Sequence, residues 1–322
     1  MSANSQSTTA LRVTAPARLH LGFLDLNGEL GRRFGSIGLS LDRPATRLVI
    51  SKSAHNTSSG PEHHRVLKLL DRVTSATAAA SYAITVEEAI PAHAGLGSGT
   101  QLALAIGAGI ARLEGRTLSA AELAKLGERG ARSGIGLAAF TGGGFLVDGG
   151  RGSHDLAPPL TLRAEFPEQW RALLILDPER AGVSGEAELA AFSALPPFPQ
   201  TAAAHICHLV LMKLVPGLME QDLSAFGSAL TEIQQIVGRH FAARQGGSAW
   251  TSPAVGRLAA RMRALGATGI GQSSWGPTGF AFVDSQEAAE RLYHSLVEDA
   301  KADRLDIVIA KGRNTAAQFD KI

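Results

Sequence analysis

Apolar residues alternate at the start of the chain. Leu11, Val13, Ala17, Leu19 and Leu21 fall at near-even spacing within 11–24, the period of a strand with one face on a core. Residues 47–51 read as a short strand and 82–90 (YAITVEEAI) as another, rich in β-formers. Residues 61–72 place Val66, Leu67, Leu69 and Leu70 on one helical side. An alanine-rich helix follows over 102–113. A further helix runs from Ser119 to about residue 132, with Ser119 and Glu122 forming a capping box. Residues 141–150 hold a glycine-flanked strand, and the turn-rich patch at Pro158, Pro159 and Pro167 marks a domain boundary. The second half opens with a strand over 171–177. Helices follow at 201–214, 222–241 and 253–265, with Leu209, Leu211, Met212, Leu214, Leu218 and Met219 as core filling. Two strands joined by a polar glycine loop span 269–283, then a helix at 286–299 and a strand at 305–310. Strand–loop–strand–helix–strand after paired helices predicts a ferredoxin-like α+β unit. The expected architecture is a polar, disordered tail at 1–10, an N-terminal domain over 11–165 and a C-terminal domain over 166–322.

A chain of 322 residues with 45% hydrophobic content can bury two cores. The longest apolar runs are interrupted by Gly, Arg, His or Lys, which argues against a membrane span, and the tail lacks the apolar centre of a signal peptide. A single cysteine, Cys207, excludes an internal disulfide framework and fits a reducing, cytoplasmic setting. Net charge is +2 with aromatics at 5% and no basic block, so a nucleic-acid surface is not expected. The apolar helices of the second half can support a homodimer.

The densest chemistry lies in PAHAGLGSGTQ at 91–101, where a predicted strand enters a glycine turn and then a helix. That arrangement presents unpaired N–H groups and the positive end of a helix dipole to an anion. Gly95, Gly97 and Gly99 allow close approach to a phosphate, while Ser98 and Thr100 add hydroxyls and Leu96 and Gln101 complete the cradle. The plain alternative is a turn that packs a helix on a sheet.

APARLHLG at 15–22, the 91–100 turn and GQSSWGPTG at 271–279 resemble, in order and spacing, the three motifs of the GHMP kinase superfamily. The closer resemblance, carried by 18–31, 34–39, 134–136, 144–149 and 271–277, is to the β-ribofuranosylaminobenzene 5′-phosphate synthases, a non-kinase branch acting in tetrahydromethanopterin biosynthesis. It implies an N-terminal domain like ribosomal protein S5 and a ferredoxin-like C-terminal domain. It also implies a transferase joining phosphoribosyl pyrophosphate to 4-aminobenzoate or 4-hydroxybenzoate, with release of carbon dioxide and pyrophosphate. Magnesium is the expected neutraliser of the leaving charge, and no organic cofactor is expected. GHMP kinases carry Ser-Gly-Val-Asp where this chain has Ser133, Gly134, Ile135 and Gly136; glycine accepts no proton, and Arg18 in the place of the kinase lysine stays charged.

Individual side chains keep two readings. Arg18, for a phosphate or carboxylate, and His20, for a proton or hydrogen bond, lie opposite the core leucines; both also suit a solvated strand face. Asp25 and Asp148 are the metal candidates, Asp25 also a catalytic one; a loop acid and a strand-end acid are the alternatives. Ser36 lies in the 34–38 turn and is a candidate to touch the substrate, with turn chemistry alone as the alternative. Ser273, Ser274 and Trp275 form a polar-aromatic loop in which Trp275 either stacks on a flat ring or plugs the domain junction. His205 and His208 share a helix face without an evident third ligand. An ATP-dependent small-molecule kinase and a non-catalytic phosphate or nucleotide sensor remain the competing functions.

Overall fold

A computed structural model describes residues 10–77, 80–126, 133–153, 157–182 and 186–322. In chain order it contains β1 (Ala10–Asp25), β2 (Phe34–Ser53), β3 (Thr57–Ser59), α1 (His63–Thr77), β4 (Ser81–Glu88), α2 (Ser98–Leu113), α3 (Ala120–Leu126), α4 (Ile135–Thr141), β5 (Phe145–Asp148) and β6 (Leu160–Ala164). The second half supplies β7 (Arg171–Leu176), α5 (Glu186–Ser193), α6 (Gln200–Leu209), α7 (Val215–Met219), α8 (Leu223–Ala242), α9 (Pro253–Ala264), β8 (Thr268–Gln272), β9 (Gly279–Val283), α10 (Gln286–Ala302), β10 (Asp306–Lys311) and β11 (Gln318–Lys321).

β1 and β2 are long because alternation persists along both, and their antiparallel pairing runs from Ala10 opposite Ser51 to Asp25 opposite Phe34. The first sheet has the order β11-β1-β2-β4-β3, and β5 adds to the near half of β2 and carries β6. α1 and α2 bury Val66, Leu70, Leu104 and Ile106 against Val13, Leu48 and Ile84 of this sheet. The second sheet, β10-β7-β9-β8, is antiparallel throughout, the ferredoxin-like order expected. α9 and α10 cover one face with Leu258, Met262, Leu292 and Leu296. Its other face and the first sheet share the largest core with α6 and α8, through Leu19, Leu39, Phe145, Phe166, Phe226 and Phe282.

Four expectations need correction. β2 starts at Phe34, so Ser36 is a buried strand residue and not part of a turn. Its glycines suggest a turn, yet a Cβ at Gly38 would stand 2.7 Å from Ile135 Cδ1; glycine there lets α4 lie on the strand. Leu211, Met212 and Met219 are exposed, not core filling, with 65%, 67% and 72% of their surface accessible. A π-helical turn over Val210–Leu214 joins α6 to α7 and turns Val210 and Leu214 inward at the expense of the residues between. Gln200–Met219 is also long and apolar enough by composition to cross a membrane, contrary to the reading of interrupted apolar runs. It buries Ile206, Leu209, Leu214 and Leu218 in the shared core, as a core helix does. Finally, β11 pairs with β1, so residues 318–321 belong to the first sheet although they follow the second. The helix expected from Ser119 is described over Ala120–Leu126, with its Ser119–Glu122 capping box formed; 127–132 lie outside the described residues.

Candidate active site

The glycine turn is held by the strand beside it. Arg18 N–H donates to Leu96 O at 3.0 Å and Arg18 Nη1 to Gly95 O at 2.7 Å. Leu96 is fully buried and anchors the turn, so its contribution is structural. Gly95 and Gly97 have φ of +81° and +82°, and a Cβ at Gly97 would press on Arg18 Cγ at 3.1 Å. α2 starts directly at Ser98, with no acidic residue in its first turn and no side-chain cap. The N–H groups that a helix start leaves without an intrahelical partner belong to Ser98, Gly99 and Thr100, which line a cleft of about 160 Å³. Gln101 is buried away from the cleft and donates to Gly136 O at 2.8 Å, fastening α2 to α4.

The C-terminal domain closes the cleft. Ser273 Oγ accepts from His20 N–H at 3.0 Å and donates to Gly95 O at 2.7 Å, so one hydroxyl ties the β8–β9 loop to both β1 and the turn. Gly182 N–H donates to His93 O at 2.8 Å on the same seam. Ser274 and Trp275 line the cleft, whereas Ser273 is wholly buried behind it. His20 is 3% exposed, so the solvated-face reading does not describe it; its ring lies 4.4 Å from that of Phe23. Phe23, Phe192 and Trp275 build an aromatic wall, with ring centroids 5.8 Å apart for Phe23–Phe192 and 5.4 Å for Phe192–Trp275. Trp275 both lines the cleft and packs on Phe241 in the junction core.

Asp148 lies beneath the cleft. It is fully buried and accepts from the N–H groups of Ser36 (3.1 Å), Gly150 (2.9 Å) and Gly134 (2.8 Å) and from Ser133 Oγ at 3.3 Å. Burial pushes its carboxyl above the ordinary value, against these hydrogen bonds, which pull it down. Asp25 Oδ1 accepts from Asn27 and Gly28 N–H in a local turn at the end of β1. Neither acid lines the cleft, and among the described residues no three His, Cys, Asp or Glu side chains gather around a possible metal. These donors do not fit a protein-built magnesium cage. His205 instead pairs with Glu232 at 2.7 Å on the surface.

Gly136 faces Thr100. A Cβ there would meet Thr100 Cγ2 at 3.1 Å, and no acidic atom is among its nearest neighbours. The described residues lining the cleft include Arg18, Arg65, His20 and His93 and no Asp or Glu. The sequence reading missed Arg65, Phe23 and Phe192. Phe23 lies within the 18–31 stretch that carries the family resemblance, a weak signal; Arg65 and Phe192 reach the cleft only through the fold.

The description "GHMP kinases N terminal domain" matches residues 63–144 and "GHMP kinases C terminal" residues 214–302. The chain is 34% identical to a β-ribofuranosylphenol 5′-phosphate synthase of Methanothermobacter thermautotrophicus, over 95% of this chain and 98% of that one. It is 32% identical to its namesake in Archaeoglobus fulgidus, over 96% and 99% respectively. The chain belongs to the β-ribofuranosylphenol 5′-phosphate synthase family. Homoserine kinase from Cytophaga hutchinsonii shares the fold, with a TM-score of 0.69 at 18% identity over 99% of this chain and 100% of that one. Mevalonate diphosphate decarboxylase from Staphylococcus aureus does likewise, at 0.67 and 16% over 97% and 98%. These distant likenesses show the fold, and the two matched descriptions make it the GHMP architecture of N- and C-terminal α+β parts. Within the synthase family, the enzymes' name denotes synthesis of a ribofuranosyl phosphate product.

Proposed function

We propose that this protein joins phosphoribosyl pyrophosphate to 4-hydroxybenzoate or 4-aminobenzoate, with loss of carbon dioxide and pyrophosphate. The bond from the ribose C1 to the diphosphate oxygen breaks and its electron pair leaves with pyrophosphate. The ring carbon bearing the carboxylate bonds to C1, and the pair of the carboxylate C–C bond returns to the ring as carbon dioxide departs. The observation that carries this reading is an anion cradle and an aromatic wall in one cleft whose described lining has no acidic side chain. The first-turn N–H groups of α2 and the Arg18 guanidinium suit a departing diphosphate. Phe23, Phe192 and Trp275 suit a flat acid, and His20, packed on Phe23, suits a hydrogen bond to its ring substituent. Magnesium, in this reading, arrives on the substrate's diphosphate and not in a carboxylate site of the protein.

Incubation with carboxyl-labelled acid, phosphoribosyl pyrophosphate and magnesium should release labelled carbon dioxide and pyrophosphate in equal amounts. No release with either acid overturns the proposal. ADP formation from ATP and a small alcohol would put a kinase in its place.

A further inference from the structure

Arg18 is not the only guanidinium at the start of α2. Arg65, on the first turn of α1, lines the same cleft, with Nη1 3.5 Å from Ser98 Oγ. The same nitrogen lies 3.3 Å from Glu62 Oε2, and the Arg65 side chain is 29% exposed. A half-exposed i, i+3 ion pair is worth little by itself, so the pair does not explain why this side chain turns inward over the glycine turn. A guanidinium carries five N–H donors, and only Nη1 is engaged among the described residues. Glu62 shares that Nη1 and is not among the residues that line the cleft. Two planar cations therefore flank one helix start that has no acidic residue in its first turn. A single phosphoryl group on the first-turn N–H groups needs one of them; a second cation beyond Ser98 suits a ligand with a second phosphoryl group.

We propose that Arg65 binds the distal phosphoryl group of the diphosphate, and so sets a preference for pyrophosphoryl over monophosphoryl ligands. This rests on the function proposed above, in which that group leaves with the bonding electron pair and its charge must be neutralised. Arg18 and the turn hold the proximal group, and Glu62 keeps the Arg65 fork turned toward it.

The test is calorimetric binding of inorganic pyrophosphate and of inorganic phosphate, with magnesium, to the full chain and to Arg65→Gln and Arg65→Lys. In wild type pyrophosphate should bind tighter. Arg65→Gln should weaken pyrophosphate by roughly ten- to a hundredfold, the range for losing hydrogen bonds to a charged group. Phosphate affinity should change less than threefold. Arg65→Lys, which keeps charge without the fork, should fall between and guards against a variant that fails to fold. In the labelled-acid assay the KM for phosphoribosyl pyrophosphate should rise in the same order, with KM for the acid unchanged. Equal losses for both anions, or unchanged pyrophosphate affinity in Arg65→Gln, would overturn the assignment. Binding that follows the predicted order with no carbon dioxide release from wild type would leave Arg65 in place and remove the transferase reading instead.

Discussion

Gly97 shows how one residue sets the chemistry of the cleft. Its φ of +82° costs any other L-residue about 1–2 kcal/mol, and its missing Cβ leaves room for the Arg18 side chain. Gly97→Ala has two ways to relieve the clash, turning the peptide plane out of the cradle or pushing Arg18 off Gly95 O. Either weakens the anion site. Pyrophosphate affinity by calorimetry should fall about tenfold, equivalent to about 1.4 kcal/mol, with a lower melting temperature. Wild-type affinity in this variant would show that the turn does not form the cradle. Residues of this kind were legible in the sequence because their chemistry is local: a turn with repeated positive φ and close approach favours glycine, and Arg18 sits a fixed step from the leucines of its strand. Arg65 and Phe192 were illegible for the opposite reason. Each sits in a helix whose own pattern says only solvated face or core, and the contact that gives it meaning comes from elements far away in sequence.

Elements divided along a similar line. α8, α10 and the second sheet were readable because long amphipathic periods and side-chain caps, such as Ser285 on Ala288 N–H, identify themselves. The first half of β2 and all of α4 were hidden by glycines such as Gly38 and Gly136, placed for close packing and not for turning. What joins those two elements is Asp148, whose carboxylate gathers the start of α4, the edge of β2 and the turn after β5. Asp148→Asn would set an amide N–H₂ against groups that need an acceptor, at a cost of about 1–3 kcal/mol. The sign of its pH dependence follows from burial. Asp148 titrates above its ordinary value of 3.8 in the fold, so in that window the native state holds more proton than the unfolded one. Its contribution is fully present below 3.8, declines as pH rises through the raised folded value, and is level beyond it. Denaturant unfolding of wild type and Asp148→Asn across this range should show their stability difference narrowing with rising pH. A difference that widens would mean that hydrogen bonding, not burial, governs this group.

At the scale of the whole molecule, the two sheets are coupled through the cleft itself. Ser273 belongs to the second sheet's loop, yet its hydroxyl serves a β1 N–H and the carbonyl of Gly95, and Gln234 of α8 donates to Leu21 O at 2.7 Å while accepting from Gln272 N–H at 2.9 Å. The Gly95 carbonyl is shared between Ser273 and Arg18, so the position of the guanidinium depends on a loop 178 residues beyond Gly95 in the chain. Ser273→Ala removes the hydroxyl that accepts from the buried His20 N–H, at a cost of about 1–3 kcal/mol unless water enters, and takes away one of the two donors on the Gly95 carbonyl. A purely structural role would lower stability and leave ligand affinity alone. The shared carbonyl predicts more: stability falls, and pyrophosphate affinity falls several-fold with it, because the Gly95 oxygen that aims Arg18 loses the hydroxyl that holds it in place. Ser295→Ala, on the exposed face of α10 and outside both the cleft and this hydrogen-bond chain, should do neither. Thermal melts and pyrophosphate titrations of the two variants decide the matter. A Ser273→Ala protein that melts early but binds pyrophosphate as wild type does would uncouple the domain seam from the anion site.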